Sequence, residues 1–357
     1  MKISPLCLFI MIIFLSMAVL PVCTDRVFAS KEAEIFGPEP NPTDGPVGGG
    51  EGYKARIRKA DFKVKTLQEL LGAFLTATPG QVVYVENEVE IDLTGQKDLQ
   101  IPWGVALAGS RGENGSKGAL LFTTKIDTFP LFVTHGNSIR ITGLRFRGPD
   151  PERRNEELQQ LMKENRYYSI PTSNGIQVAH RGFELDNCEL WGWSHSAIFL
   201  KKGASGAHIH HNFIHHNQRY GLGYGVMLDD ANAIIEANLF DWNRHCVAGT
   251  GKRETSYEAR YNIVLENTNS FIFDMHGGAD RNDGTDIAGN RIAIHHNMVK
   301  AVSYRAVGIC GRPLVGAEIH HNWFYHKSPE DAVTQIQGKG NMHVYRNKYT
   351  PDGIVKD

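Results

Sequence analysis

Four side chains in the second half of the chain have the chemistry needed for acid–base catalysis: Tyr224, His245, Lys252 and His276. A histidine titrates near neutral pH, whereas a tyrosine or a lysine needs neighbouring positive charge to lower its pKa towards that range. These residues recur at related positions of a sequence repeat, so we expect them to face one side of the molecule. The sequence predicts that they are catalytic residues.

Five arginines recur at similar positions of the repeat and are predicted to bind substrate: Arg219, Arg244, Arg253, Arg305 and Arg312. Stacked repeats would arrange them as an elongated basic strip. Such a strip suits an extended anionic polymer. An ordinary solvated face with scattered charges is the alternative, and both interpretations stay open.

An acidic segment follows the last of the catalytic candidates. Strand alternation places Asp274 and His276 on one face, and the loop after them contains Asp280 and Asp283. Asp274, Asp280 and Asp283 are therefore candidate ligands for Ca²⁺, although the loop misses the EF-hand spacing by one residue. Turns held by aspartate side chains are the alternative, and no other cofactor is expected.

Histidine pairs recur as part of the repeat itself. His295-His296 and His320-His321 stand one repeat apart, which is compatible with a zinc site. Because the pairs belong to a recurring strand pattern, packed or stacked histidines are the favoured interpretation.

Composition excludes several classes of protein. The 357 residues include 38 basic and 39 acidic side chains, a net charge of −1, with 41% hydrophobic residues. This composition is typical of a chain that folds around a core and excludes a disordered chain. Near-zero net charge argues against bulk attraction to nucleic acid or to an anionic membrane. A monomer that binds an anionic polysaccharide is expected.

An asparagine closes each of seven short strand-like segments, at Asn187, Asn212, Asn238, Asn262, Asn297, Asn322 and Asn347. Five of the six intervals are 24 to 26 residues, and the sixth is 35. A unit of about 25 residues with strand periodicity predicts one coil of a parallel β-helix, with coils about 4.8 Å apart. Asparagines at an inward corner can then hydrogen-bond between coils and satisfy buried polar groups.

Two helical segments interrupt the strand pattern. Thr66 and Glu69 form a capping box before an apolar face that comprises Leu67, Leu70, Leu71, Phe74 and Leu75. This pattern predicts a helix that covers the open N-terminal end of the solenoid. A second, inserted helix is predicted within about residues 150–168.

The N-terminal residues have the pattern of an export signal. Residues 1–29 are predicted to be a cleaved signal peptide, residues 30–52 a Pro/Gly-rich linker that packs against nothing, residues 53–350 the β-helix domain and residues 351–357 a tail. The expected location is extracellular or periplasmic, with no membrane attachment after cleavage. Cys188, Cys246 and Cys310 are expected to be buried free thiols because an odd count argues against a disulfide framework.

The cap helix, the following PGQVVYV strand and the IHHN coils resemble the right-handed parallel β-helix repeat proteins of the pectate-lyase-like superfamily, over roughly residues 55 to 350. The resemblance implies an all-β fold, a single right-handed parallel β-helix with an N-terminal capping α-helix. It does not by itself imply one activity, because that superfamily includes lyases, hydrolases, epimerases, esterases and binding proteins. The favoured expectation is a secreted lyase that cleaves a uronic-acid polysaccharide by β-elimination. A glycoside hydrolase or another carbohydrate-active enzyme on this fold and a non-catalytic glycan-binding or surface protein are the alternatives.

Overall fold

The repeated asparagines stack on one another at one corner of the coils. From Asn212 to Asn347, Nδ2 of each asparagine donates to Oδ1 of the next at 2.9 to 3.1 Å. The same Oδ1 atoms accept the backbone N–H of the asparagine one coil earlier. Each of these side chains is fully buried. The predicted ladder is confirmed for these six asparagines, and it satisfies polar groups that would otherwise be buried without partners. The prediction is wrong for Asn187, because Oδ1 of Asn212 accepts the Cys188 N–H and Asn187 instead bonds to Gly50 and Arg111.

The structure, a computed structural model, describes residues 34–153 and 155–356, and the predicted signal peptide lies outside them. The first fifteen strands are β1 (Phe62–Val64), β2 (Val82–Val85), β3 (Glu90–Asp92), β4 (Leu99–Pro102), β5 (Ala106–Ala108), β6 (Leu120–Phe122), β7 (Phe132–His135), β8 (Arg140–Thr142), β9 (Arg145–Arg147), β10 (Asn174–Val178), β11 (Glu184–Asp186), β12 (Glu189–Trp191), β13 (Ser196–Leu200), β14 (Ala207–His210) and β15 (Phe213–Asn217). The remaining strands of the described residues are β16 (Tyr224–Leu228), β17 (Asn232–Glu236), β18 (Leu239–Asn243), β19 (His245–Gly249), β20 (Ser256–Arg260), β21 (Ile263–Val264), β22 (Phe273–Met275), β23 (Arg291–His295), β24 (Met298–Val299), β25 (Val307–Ile309), β26 (Gly316–His320), β27 (Trp323–Phe324), β28 (Val333–Gln335), β29 (Met342–Tyr345), β30 (Asn347–Tyr349) and β31 (Ile354–Lys356). The helices are α1 (Leu67–Thr76), α2 (Asn155–Lys163), α3 (Gly278–Arg281) and α4 (Pro329–Ala332), with a 3₁₀ turn at Tyr167–Ser169.

Successive strands join three sheets in rotation, so that three consecutive strands make one coil. The first sheet runs β1-β2-β5-β8-β11-β14-β17-β20-β23-β26-β29, the second β3-β6-β9-β12-β15-β18-β21-β24-β27-β30-β31, and the third β4-β7-β10-β13-β16-β19-β22-β25-β28. The pairings are parallel except that of β30 with β31, which turns back residues predicted to be a tail. Three parallel sheets built from successive coils define a parallel β-helix, which confirms the predicted fold class.

The core lies between the three sheets and continues from coil to coil. In the third sheet, Ile198, Val226, Val247, Phe273 and Val307 occupy one register position in five successive coils. All five are fully buried. Because each coil covers the apolar side chains of its neighbours, the stack is stabilised mainly by burial of apolar surface.

Helix α1 begins with the predicted capping box. The Thr66 hydroxyl accepts the Glu69 N–H, and the Glu69 carboxylate accepts the Thr66 N–H. Leu70 and Phe74 are buried against the first coils, whereas Leu75 is 87% exposed. The predicted cap helix is present, but Leu75 does not belong to its buried face.

The segment 35–53, which we call the strap, lies against the β-helix. Gly37 N–H donates to the His321 carbonyl, and Gly48 N–H donates to the Ala237 carbonyl. Gly50 N–H donates to Asn187 Oδ1, and buried Tyr53 donates its hydroxyl to Asp186. The prediction that residues up to 52 pack against nothing is therefore wrong for this segment. Its glycines allow the backbone to approach the corners of several coils closely. From composition alone, the same glycines predict a flexible linker.

The inserted segment that contains α2 is attached beside the loop that precedes β16. Arg219 Nη1 donates to the Pro171 carbonyl at 2.7 Å, and the Tyr167 hydroxyl donates to the Tyr220 carbonyl. The Arg219 guanidinium also lies over the Tyr167 ring, 5.2 Å from its centroid. These contacts fix the insertion next to Tyr224.

Two further features concern the cysteines and the helices. Cys188, Cys246 and Cys310 are buried free thiols, as predicted. Within residues 34–153 and 155–356, no helix has both the length and the apolar character required to cross a bilayer.

Candidate functional site

A second, shorter asparagine ladder fixes the corner from which the third sheet begins. Asn217 Nδ2 donates to Asn243 Oδ1 at 2.8 Å, and Asn243 Nδ2 donates to the Ile214 carbonyl at 2.8 Å. Both asparagines are fully buried. Arg244 and His245 follow directly, and the Arg244 N–H donates to the Asn217 carbonyl at 2.9 Å. The backbone therefore sets the positions of these two residues rigidly.

Tyr224 and His245 occupy equivalent positions in adjacent coils. They are register partners of β16 and β19, and their rings stack at a centroid distance of 5.5 Å and an angle of 9°. Tyr224 follows Gly223. This position requires glycine, because its φ is +78° and an added Cβ would lie 2.6 Å from the Asn217 carbonyl oxygen. The Arg244 guanidinium lies 5.8 Å from the centre of the Tyr224 ring.

Asp274 is the carboxylate on which two of the predicted catalytic histidines converge. Its Oδ2 lies 2.9 Å from His276 Nε2 and 3.9 Å from His245 Nε2. Asp274 and His245 are each 1% exposed, whereas the His276 side chain is 25% exposed. His276 is therefore the member of the cluster that reaches solvent. The next residue is Gly277, where a side chain would not fit because an added Cβ would collide with the Cys310 carbonyl oxygen.

A backbone hydrogen bond fixes the protonation pattern of neutral His245. Its Nδ1 lies 2.5 Å from the Phe271 carbonyl oxygen, which can only accept, so Nδ1 bears the proton. Nε2 then presents a lone pair towards Asp274 Oδ2. His245 Nε2 is buried without a hydrogen-bond partner, whereas Asp274 Oδ2 forms an ion pair with His276 Nε2 at 2.9 Å. Two acceptors that face each other in a buried site are costly unless positive charge compensates them; His276 compensates the carboxylate, and His245 Nε2 has no such partner.

Burial and mutual charge shift the pKa values of the cluster in different directions. Burial and the nearby positive charge of Arg244 lower the pKa of His245 to about 3. Burial opposes ionisation of Asp274, but the two histidines outweigh it and its pKa is lowered. Burial likewise opposes the charged form of His276, but Asp274 outweighs it and raises the pKa of His276. Burial raises the pKa of Tyr224, and Arg244 acts against that effect.

The structure brings together three of the four predicted proton-transfer residues: Tyr224, His245 and His276. His245 is buried rather than exposed on the side that the four residues were expected to share. Lys252 Nζ instead forms an ion pair with Asp229 at 2.7 Å, with about half of its side chain exposed.

Of the five predicted substrate-binding arginines, Arg244 is the one that contacts the cluster. Arg219 is buried and holds the insertion, so it is not free to bind substrate. Arg312 pairs with Asp286 at 3.0 Å, and Arg305 Nε donates to the Glu330 carbonyl at 3.1 Å. Arg253 is exposed in a turn. The arginines therefore do not form the continuous strip that the repeat suggested.

The acidic loop after His276 is held by turns and a short helix. Asp280 Oδ2 accepts the Gly277 N–H at the start of α3. Asp283 accepts from Thr285 and from Arg281 Nε, which lowers its pKa to about 2. Neither carboxylate belongs to the described groups whose ligand atoms converge, so Asp274, Asp280 and Asp283 do not form the predicted ligand set.

Sequence reasoning missed that His245 and Asp274 face each other across adjacent coils. The register joins Val247 to Phe273, an offset of 26, but His245 and Asp274 are 29 residues apart. Their side chains nevertheless approach to 3.9 Å, which residue counting does not reveal. The Phe271 carbonyl that orients His245 belongs to the backbone and leaves no signal in residue type.

The histidine pairs outside this cluster are stacked, which confirms the favoured interpretation. His295 stacks on His320 at 5.0 Å and 1°, and His296 stacks on His321 at 5.1 Å and 5°. Within each pair the Nδ1 atoms lie 2.9 Å apart. Their nitrogen atoms are thus engaged with neighbouring rings.

Comparisons with known proteins found similarity to solved structures at low sequence identity. No family model matches the sequence, and no curated protein matches it. An alginate lyase from Paenibacillus sp. strain FPU-7 is 17% identical with a TM-score of 0.43, covering 80% of this chain and 98% of the lyase. The A-module of the mannuronan C-5 epimerase AlgE6 of Azotobacter vinelandii is 12% identical with a TM-score of 0.42, covering 78% and 83% respectively. A family 28 exopolygalacturonase of Yersinia enterocolitica is 10% identical with a TM-score of 0.40, covering 82% and 76%.

Proposed function

We propose that the protein is a carbohydrate-active enzyme that cleaves a uronic-acid-containing polysaccharide by β-elimination. The observation that carries this proposal is the convergence of Tyr224, His245, His276 and Arg244 around the single buried carboxylate of Asp274. Tyr224 can transfer a proton, and Arg244 and the two histidines beside it supply positive charge and hydrogen-bond donors.

β-Elimination makes two demands that these residues can meet. The negative charge of the substrate carboxylate must be neutralised as the C5 proton becomes acidic, and we assign this role to Arg244 and the histidine cluster. The C5 proton must be removed, the C4–O bond broken and the leaving oxygen protonated. We assign proton transfer to Tyr224. Because burial raises the pKa of its hydroxyl, the phenolate depends on the positive charge of Arg244 beside the ring; it takes the C5 proton and then returns it to the leaving oxygen. The electron pair of the C5–H bond forms the new C4–C5 double bond.

Hydrolysis fits the same residues less well. A glycoside hydrolase needs two carboxyl groups about 5 to 10 Å apart on either side of the scissile bond. Asp274 is buried against two imidazoles, and Asp229 is held by Lys252 and by the Thr250 hydroxyl. Neither carboxylate is positioned to attack a sugar or to activate water.

An open cavity lined in part by Phe271, which also contacts His245, is compatible with a polymeric substrate. The cavity has a volume of about 630 Å³, and its lining includes Phe271, Tyr304, Arg305 and Lys327. Phe271 connects it to the cluster because the carbonyl of this residue orients His245. Aromatic rings beside cationic groups suit the neighbouring uronate residues of a chain. The export that we propose for this protein would bring it to such polymers outside the cell.

The proposal is tested by incubating the protein separately with alginate, pectate, hyaluronan and a heparin-type polymer. Elimination yields an unsaturated sugar that absorbs in the ultraviolet, and one new reducing end accompanies each cleavage. We expect both signals, in equal amounts, with at least one polymer. Reducing ends without absorbance would show hydrolysis, and binding without either signal would show a glycan-binding protein; both results would overturn the proposal.

A further inference from the structure

The strongest unexplained feature of the site is a pair of buried lone pairs that face each other. His245 Nε2 and Asp274 Oδ2 are 3.9 Å apart; Nε2 has no hydrogen-bond partner, whereas Oδ2 is paired with His276 Nε2 at 2.9 Å. Hydrogen bonding from His245 Nδ1 to the Phe271 carbonyl keeps the proton away from Nε2 in the neutral ring. His245 Nε2 therefore faces a carboxylate oxygen with a buried lone pair and no donor of its own, and a cation bound to both atoms would remove this repulsion.

His276 completes a set of three donors. Its Nε2 lies 2.9 Å from Asp274 Oδ2, and the three ligand atoms all lie within 4.8 Å of one another. Three ligands bound at about 2.0 to 2.2 Å to one ion are separated by about 3 to 3.5 Å, so small side-chain rotations suffice. We propose that His245 Nε2, Asp274 Oδ2 and His276 Nε2 are the protein ligands of a first-row transition-metal ion.

The chemistry of the donors selects the kind of metal. Two imidazole nitrogens and one carboxylate suit Zn²⁺, Mn²⁺, Fe²⁺ or Co²⁺, whereas Ca²⁺ and Mg²⁺ prefer sites built from oxygen ligands. The hydrogen bond between His245 Nδ1 and a backbone carbonyl is the usual second contact of a metal-binding histidine, since it fixes the tautomer and the ring. Three protein ligands leave at least one coordination position open, towards the solvent side that His276 occupies.

This inference deepens the proposed function because the ion would supply positive charge where a substrate carboxylate must be neutralised. Arg244 Nη1 is buried without a hydrogen-bond partner beside the same cluster and would share that role. The ion would also stabilise the buried cluster in the absence of any polysaccharide. Its binding can therefore be measured without substrate.

The experiment begins with purified protein stripped by a chelator and titrated with Co²⁺, followed by visible absorption. We expect saturation at one Co²⁺ per chain with ligand-field bands, loss of these bands when Zn²⁺ is added, and no change with Ca²⁺. X-ray absorption spectroscopy of the Zn²⁺-loaded protein should show two imidazole ligands. Absence of Co²⁺ and Zn²⁺ binding, or a spectrum without imidazole ligands, would overturn the inference even if no variant folds.

Two variants and one control locate the site. Asp274→Asn and His276→Gln should each lower Co²⁺ affinity by about 10²-fold or more. His208→Gln is the matched control, because His208 Nε2 lies 3.1 Å from Glu236 Oε2 but has no second histidine on that carboxylate. This control should bind Co²⁺ as the unsubstituted protein does. Equal loss in all three variants would place the metal elsewhere.

The metal site and the proposed reaction can fail separately. Metal binding at the three ligands with no unsaturated product from any polymer would refute β-elimination and leave the metal site standing. Full elimination activity in stripped protein that binds no Co²⁺ would refute the metal site and leave the reaction standing.

Discussion

His276 Nε2 lies 2.9 Å from Oδ2 of Asp274, two residues earlier on the same side of the chain. This contact is local, since strand alternation brings residues i and i+2 to one face. The approach of His245 to the same oxygen depends instead on the stacking of adjacent coils. One carboxylate thus links a local pair to a residue of the preceding coil. The predictions below test this site and the fold that positions it.

The Tyr224 hydroxyl is expected to be essential for elimination but not for folding. Tyr224→Phe keeps the ring that stacks on His245 and removes the hydroxyl. Turnover should fall by about 10²- to 10⁴-fold, the range for a positioned acid–base group, with little change in thermal midpoint. Tyr261→Phe is the matched control, because Tyr261 packs on His296 at another corner. Equal turnover of the two variants would remove Tyr224 from the reaction.

The asparagine ladder is expected to contribute to stability at each step. Asn322 bonds to Asn297, to Asn347 and to the Ile294 carbonyl. Asn322→Ala would leave several buried polar groups unpaired, so the free energy of unfolding should fall by about 2 to 4 kcal/mol. Urea denaturation measures the change. The control, Asn341→Ala, removes an exposed asparagine and should cost clearly less; a comparable loss would mean that the ladder has no special role.

The strap is expected to depend on close backbone contact at Gly49. An added Cβ at this position would lie 2.7 Å from Asn187 Oδ1 and would also collide with the His211 carbonyl. Gly95 has a similarly positive φ but no atom within 4 Å of an added Cβ. Gly49→Ala and Gly95→Ala therefore share the backbone penalty, and only the first should displace the strap. We expect Gly49→Ala to be less stable by about 1 to 3 kcal/mol more than Gly95→Ala and faster to be cleaved within residues 35–53 by protease. Equal effects would indicate that the strap is not held by this contact.

Glu236 is expected to make stability depend on pH in acid. It is buried, accepts a hydrogen bond from Arg260 at 2.7 Å and lies 3.1 Å from His208 Nε2. Burial opposes its ionisation, but His208 and Arg260 outweigh burial and lower the pKa of Glu236 to about 2. A folded-state pKa below the unfolded value of about 4.3 means that the stabilisation is complete above that value and is lost as pH falls towards 2.

Glu236→Gln should therefore lower the free energy of unfolding at pH 7, on the order of 2 kcal/mol. The difference from the unsubstituted protein should shrink between about pH 5 and pH 2, where the carboxylate becomes protonated. Urea denaturation at several pH values measures both curves. Parallel curves across this window would contradict the assignment.

The regular features of the fold follow from local sequence patterns. The 25-residue spacing of asparagines such as Asn297, Asn322 and Asn347 predicts stacked coils, because identical corners repeat at the period of one coil. The capping box of Thr66 and Glu69 predicts the start of α1 because its hydrogen bonds span three residues. Strand alternation likewise predicts that Asp274 and His276 share a face. Each of these relationships is encoded in the order of the residues.

The relationships that only the tertiary structure decided all join residues distant in sequence. The approach of His245 to Asp274 depends on the stacking of two coils, and the strap contacts residues far away along the chain, as between Gly50 and Asn187, which are 137 residues apart. Arg219 holds the insertion, whereas Arg244 lies at the cluster, although both follow an asparagine at nearly the same distance. Residue types and spacing specify which side chains can ionise or coordinate. Which of them meet is determined by the packing of coils, loops and strap against one another, because burial and the available hydrogen-bond partners are set only there.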